Sequence, residues 1–240
     1  MNSYYITGII LSHENIGEKD RLITFLTEER GKLRAVARSS RRISSKMAGS
    51  LEPFNLVRCW MHTGKTFDII KNVQLIKTFP NVIKNIDIYI TASRMFEFIQ
   101  VTVQENDESQ DMFRLLLGVL TALDRYDSLN SIKVFFWLNV LILSGYRMRL
   151  DRCVCGREDV KGFSPSMGGV VCIDCMLKTN DSILISNSAL DTLRMYEQIR
   201  LSSAVKREIP DTLMKEIDAI IDRFRLCHTN IKLRSEEVTI

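Results

Sequence analysis

The chain has 240 residues, 45% hydrophobic and 26% charged, an ordinary globular composition with room for one large core or two small ones. Its longest apolar run, Val134 to Leu143, contains Asn139 and falls well short of the roughly 20 apolar residues that a membrane-spanning helix needs. The net charge of +4 is uneven, because residues 1–80 carry 13 Lys and Arg against 7 Asp and Glu (+6) and the rest carry 20 against 22 (−2), so a polyanionic partner is expected mainly on the N-terminal third.

Met1 to Leu11 lacks a basic n-region and a cleavage site, which predicts a cytoplasmic protein with no membrane partner. The first eighty residues read as a succession of strands. Tyr4 to Ser12 is rich in Ile, Tyr and Thr, and a turn at Gly17 to Asp20 leads into Arg21 to Thr27, where Leu22, Thr24 and Leu26 alternate with Ile23 and Phe25. Between Glu29 and Glu52 stand seven cations (Arg30, Lys32, Arg34, Arg38, Arg41, Arg42 and Lys46) and no carboxylate. Lys32, Arg34, Val36 and Arg38 alternate with Leu33, Ala35 and Ala37, which predicts a strand with one cationic and one buried face.

Ser39 to Ser50 reads as an exposed, mobile loop carrying Arg41, Arg42 and Lys46. A fourth strand, Phe54 to His62, sets Val57, Cys59 and Met61 against Phe54, Leu56 and Trp60, and Thr63-Gly64 turns into a fifth, Thr66 to Leu75. Five strands with no intervening helix suit a small closed barrel, of OB type or SH3-like. Trp60, Phe54 and Tyr4 are expected in its core more than as a stacking platform for bases.

At Pro80 the periodicity changes to helical, which divides the chain into a barrel domain, 1–80, and a helical domain, 81–240. Helices are expected from Val82 onward through Ile99, over Asp111 to Asp124, over Ser131 to Leu143 as the central helix of a bundle, and over Ser188 to Leu201 and Asp211 to His228. The expected fold class is α+β, an OB-type barrel followed by helices with a small zinc-ribbon-like insert at 150–180.

That insert holds Cys153-Val154-Cys155 and Cys172-Ile173-Asp174-Cys175. Cytoplasmic cysteines in two close pairs point to metal more than to disulfides, and four thiolates around Zn2+ would make a structural site with no open position. A redox-labile thiol cluster and plain packing are the other readings, because the first pair is C-x-C and not C-x-x-C. Cys59 and Cys227 are expected to be buried apolar residues.

No catalytic constellation is found. Thr63-Gly64-Lys65-Thr66 looks like the end of a phosphate-binding loop, but Cys59 stands where its first glycine belongs and a strand follows where a helix is required. His13, His62 and His228 lack metal-ligand or protease spacing, so neither an enzyme nor a small-molecule substrate is expected.

The order of short motifs resembles the RecO family of bacterial recombination mediators along nearly the whole chain. The matching residues are Ile16-Gly17-Glu18-Lys19-Asp20, Thr27 to Lys32, Ala35-Val36-Ala37-Arg38, Arg41-Arg42 with Ser44-Ser45, Leu51-Glu52-Pro53-Phe54, Gly145-Tyr146, Leu150 to Cys153, and His228 with Lys232 to Ser235. The resemblance implies an N-terminal OB domain, a helical domain and a zinc-finger-like insert. It also implies binding of single- and double-stranded DNA, annealing, and work at the nucleoid with RecR and the tail of single-strand-binding protein to load RecA indirectly. Arg38-Ser39-Ser40 stands where the family commonly has Lys-Gly, which removes a glycine from the turn and keeps the charge.

The expected mechanism is electrostatic: Lys32, Arg34, Arg38, Arg41, Arg42 and Lys46 neutralise phosphates without reading bases. The rival is a protein–protein adaptor whose basic face is merely solvated.

Overall fold

The structure, a computed structural model, describes residues 3–42, 45, 47–105 and 110–234. It falls into two compact units, Met1–Asp124 and Arg125–Ile240.

In the first unit, five strands, β1 (Ser3–Ile16), β2 (Asp20–Thr27), β3 (Gly31–Ala37), β4 (Leu56–His62) and β5 (Asp68–Lys77), close a barrel in the order β1-β2-β3-β5-β4. Closure depends on β1, whose first half pairs with β4 and whose second half pairs with β2, with a register shift between Ile10 and Ser12 that bends it from one neighbour to the other. Where the two pairings overlap stands Gly8, at which a Cβ would lie 3.3 Å from the Leu26 carbonyl oxygen. The other seam is a short parallel pairing of Ala35 and Val36 on β3 with Asp68 and Ile69 on β5. This strand order is the OB arrangement, which decides between the two barrels that the sequence allows.

The interior follows the period-two pattern: Ile6, Ile10, Ile23, Phe25, Leu33, Ala35, Ala37, Val57, Cys59, Met61 and Ile70 fill it. Leu51, at the end of a 3-10 turn over Gly49–Leu51, is also buried in this core, so the loop after β3 is anchored by its own apolar side chain. Ile9, Leu22 and Leu26 point the opposite way and are buried as well.

After Phe79 come α1 (Pro80–Lys84), α2 (Ile86–Thr102) and α3 (Gln110–Arg125). The helical run expected from Val82 is thus two helices. Asn85 breaks it, taking an extended backbone while its side chain accepts from the N–H groups of Asp87 and Ile88 as the N-cap of α2. The Phe54 ring meets Tyr89 and Phe96 of α2 edge-on, at 5.5 and 4.7 Å between centroids, so Phe54 is core as expected. Compactness therefore groups residues 81–124 with the barrel, although strand gives way to helix at Pro80.

In the second unit, α4 (Leu129–Leu143) is the central helix, with Ile132, Val134, Phe135, Phe136, Trp137, Leu138, Val140 and Leu141 all buried. Around it pack α6 (Asn187–Gln198), α7 (Leu201–Ala204) and α8 (Asp211–Thr229), after the short elements β6 (Gly162–Ser164), β7 (Gly169–Val171), α5 (Ile173–Met176) and β8 (Ile183–Leu184). The buried face of α8 is Met214, Ile217, Ile220, Ile221, Phe224 and Arg225. Cys227 falls off that face and is exposed, which corrects the expectation of burial. Among the described residues, no helix is long and apolar enough to cross a membrane.

Candidate nucleic-acid interface and cysteine centre

The β2–β3 hairpin turns tightly because Gly31 accepts a left-handed backbone (φ 61°) and because the buried Thr27 hydroxyl donates to the Gly31 carbonyl while accepting from the Arg30 N–H. From there β3 alternates as the sequence predicts, with Leu33, Ala35 and Ala37 inward and Lys32, Arg34 and Val36 outward.

The outward face of this strand is only half open. Its residues pair across to Leu26, Thr24 and Leu22, all buried, and the chain leaving α2 runs alongside. Lys32 Nζ donates to the Gln100 carbonyl at 2.8 Å, and burial lowers its pKa against the opposing pull of Glu105. The Arg34 guanidinium lies 3.8 Å from the Glu105 carboxylate and 5.2 Å from the centroid of the Phe67 ring. These two cations already have partners.

The remaining cations lie just beyond the strand. Arg38, Arg41 and Arg42 are exposed, and neither Arg38 nor Arg42 has a side-chain hydrogen bond or ion pair with a described residue. Arg41 donates through its guanidinium to the Gly17 carbonyl and through its backbone N–H to the Lys19 carbonyl. Ser39 holds the turn in a left-handed conformation (φ 54°), with its N–H bonded to Asp20 Oδ1 at 2.7 Å. At the far end Glu52 accepts from Arg21 at 2.9 Å.

The loop expected to be mobile is therefore tied to the β1–β2 turn where it starts and to β2 where it ends. Lys46, with Ser44 and Ser235 of the matched motifs, lies outside the described residues. Tyr4 is half-buried at the barrel end, with the Arg30 guanidinium 3.9 Å from its ring centroid and its hydroxyl donating to Asp68; burial first, then Asp68, raises its pKa.

The four cysteines of the second unit converge, with all four Sγ atoms within 4.8 Å of one another. Four sulfurs each about 2.3 Å from one tetrahedral ion would stand about 3.8 Å apart, so the cluster is the right size to hold a metal. The C-x-C spacing does not prevent this, because Gly156 takes φ 95° and donates to the Cys153 carbonyl, closing the turn one residue early. Backbone N–H groups still face the sulfurs: the Cys172 N–H bonds to Cys153 Sγ at 3.1 Å, and that of Arg157 draws the Cys155 thiol down to about 7. Cys175 is pushed up to about 12, first by its hydrogen bond with Cys153.

The chain matches the family profile described as "Recombination protein O N terminal" over residues 1–79 and that described as "Recombination protein O C terminal" over residues 83–237. The chain belongs to the RecO family. Among its relatives, "DNA repair protein RecO" of Thermoanaerobacter sp. (strain X514) is 30% identical over 234 residues, covering 96% of this chain and 94% of the relative. The protein of the same description from Bifidobacterium animalis subsp. lactis is 35% identical over 202 residues, covering 82% of this chain and 84% of the relative.

In this RecO chain, sequence reasoning found the outward cations but missed the residues that restrain them, Gly17, Asp20, Gln100 and Glu105. Only Glu105 left a signal, since the acidic stretch Glu105, Asp107, Glu108 follows a predicted helix end. It also missed Tyr5 and Arg58, which share an outer face of the barrel with Trp60.

Proposed function

We propose that the chain is a non-catalytic DNA repair and recombination mediator that holds single- and double-stranded DNA by the phosphate backbone. Residues 1–80 act as the DNA-binding domain and residues 81–240 as the partner-binding domain. The observation that carries this reading is the group of exposed guanidinium groups, Arg38, Arg41 and Arg42, fixed on one turn of an OB-type barrel in a chain of the RecO family. Lys32, Arg34 and Lys46 add to the same field, with Lys32 and Arg34 joining fully only once Gln100 and Glu105 yield them.

Backbone contacts neutralise phosphate charge without reading sequence, so two complementary strands held on one cationic surface repel each other less and anneal without ATP. With RecR and the tail of single-strand-binding protein as partners, such a surface would serve to load RecA at gaps, in the cytoplasm at the nucleoid. Zn2+ held by Cys153, Cys155, Cys172 and Cys175 would close a coordination shell with no open position, and its contribution is folding free energy of the insert, not chemistry.

The test is charge reversal. Arg38→Glu, Arg41→Glu and Arg42→Glu together should abolish binding to single-stranded oligonucleotides at low salt. Three lost contacts correspond to a loss of about 2 in the log–log salt slope. Unchanged affinity at low salt would instead favour the adaptor reading, in which the basic face is solvated; the partnering of Lys32 and Arg34 is the observation on that side.

A further inference from the structure

The barrel has a second open face, on β1, β4 and β5. Tyr5 on β1 stands opposite Trp60 on β4, and across β4–β5 Trp60 stands opposite Asn72 and Arg58 opposite Gln74. All five point outward, because their strand neighbours Ile6, Val57, Cys59, Met61 and Val73 pack into or against the core. Tyr5 is 60% and Trp60 44% exposed. The Arg58 guanidinium lies 5.1 Å from the Tyr5 ring centroid. Together the five line an open recess of roughly 400 Å³.

Cross-strand aromatic pairs do stabilise sheets, but that contribution comes from burying the rings against each other and their neighbours. A Trp and a Tyr this open contribute little to the barrel. The chemistry of the recess is specific: two aromatic rings, one guanidinium, two carboxamides that donate and accept, and neither a carboxylate nor an aliphatic side chain. An apolar peptide would find no greasy wall here. It would find no free strand edge either, since β4 is paired on both sides.

A nucleobase uses all of these features, laying its π-face on a ring, its polar edge on an amide and its phosphate near the cation. In a duplex those faces are already stacked, so the recess would select single strands. We propose that Tyr5 and Trp60, with Arg58, Asn72 and Gln74, form a stacking platform for the bases of single-stranded DNA, apart from the phosphate-binding turn at Arg38 to Arg42. The inference rests on the nucleic-acid reading above.

The experiment compares the full chain with Trp60→Ala and Tyr5→Ala on three probes: an oligodeoxythymidine, an abasic oligomer of the same length and a blunt duplex. Each variant is expected to weaken binding to oligodeoxythymidine about tenfold or more, with the salt slope unchanged, and to leave the abasic oligomer and the duplex unaffected. Trp60→Phe should restore most of the loss. Oligodeoxythymidine should quench the fluorescence of the wild-type chain but not of Trp60→Ala, whose remaining Trp137 is buried. Equal affinity of variant and wild type for oligodeoxythymidine, or an equal loss on the abasic oligomer, overturns the platform while leaving phosphate binding intact. If the wild type binds none of the three, the nucleic-acid reading fails, and the platform with it.

Discussion

Glu105 sets its carboxylate 3.8 Å from the Arg34 guanidinium on the outward face of β3. A nucleic acid reaching that strand must displace it. Glu105→Gln should therefore tighten binding of single-stranded oligonucleotides a few-fold at low salt and steepen the log–log salt slope by up to about 0.7, one phosphate contact. The gain should fade as salt screens both species alike. A gel-shift series in which wild type and Glu105→Gln show the same affinity and slope would remove Arg34 from the contact surface.

A buried polar relay ties the second unit together. The Tyr196 hydroxyl donates to Ser131 Oγ at 2.9 Å, and Ser131 Oγ donates to the Arg207 carbonyl at 2.6 Å. Both side chains are wholly buried. Ser131→Ala leaves the buried Tyr196 phenol without its acceptor, which should cost about 1–3 kcal/mol in denaturant unfolding. Adding Tyr196→Phe to Ser131→Ala should cost less than the two single changes summed, because the phenol that Ser131→Ala strands is then gone. Strict additivity would mean that the relay carries no coupling.

How much of this was legible in the sequence depends on whether a feature is local. The alternation of β3 and the convergence of the two cysteine pairs follow from spacing, and both could be read directly. Trp60 lies on the face opposite Val57, Cys59 and Met61, but parity alone does not say which face is the core, so its exposure had to come from the barrel. The partial covering of Lys32 and Arg34 does not follow from local spacing, since the Gln100 carbonyl lies on α2 and the Glu105 carboxylate just past it, far along the chain, and only the acidic stretch from Glu105 hints at it. The loop after β3 looked free because its polar composition hides Leu51 and because Asp20 and Gly17 belong to a different turn. Ser39 in a left-handed conformation explains why a residue without a glycine's freedom is tolerated there: its N–H has a carboxylate to bond.

Thiol chemistry separates the six cysteines. Cys227 is exposed and should react at once with a mild thiol reagent. Cys59 is fully buried, with its thiol pushed up to about 12 by desolvation, and should react only on unfolding. Cys153, Cys155, Cys172 and Cys175 should be protected when zinc is bound and become reactive when a strong chelator removes it. Metal analysis should give one zinc per chain. Equal reactivity of these four with and without chelator would show that they hold no metal.

Asp181 predicts an acid-sensitive clamp at the end of β6. Its two oxygens accept from the Ser164 hydroxyl at 2.8 Å and the Ser166 backbone N–H at 2.7 Å, fixing the turn that leaves β6. Desolvation alone would raise its pKa, but the hydrogen bonds from Ser166, Ser164 and Thr179 outweigh it and hold the carboxyl below the usual carboxylate range. A carboxyl depressed in the folded state favours folding above its ordinary pKa, and that contribution is lost as pH falls from there through the depressed value. Asp181→Asn should therefore be less stable than wild type at neutral pH and should lose less stability on acidification. The check is a pair of unfolding curves recorded from neutral to strongly acid pH. Curves that stay parallel throughout would mean that the Asp181 charge does not stabilise the turn.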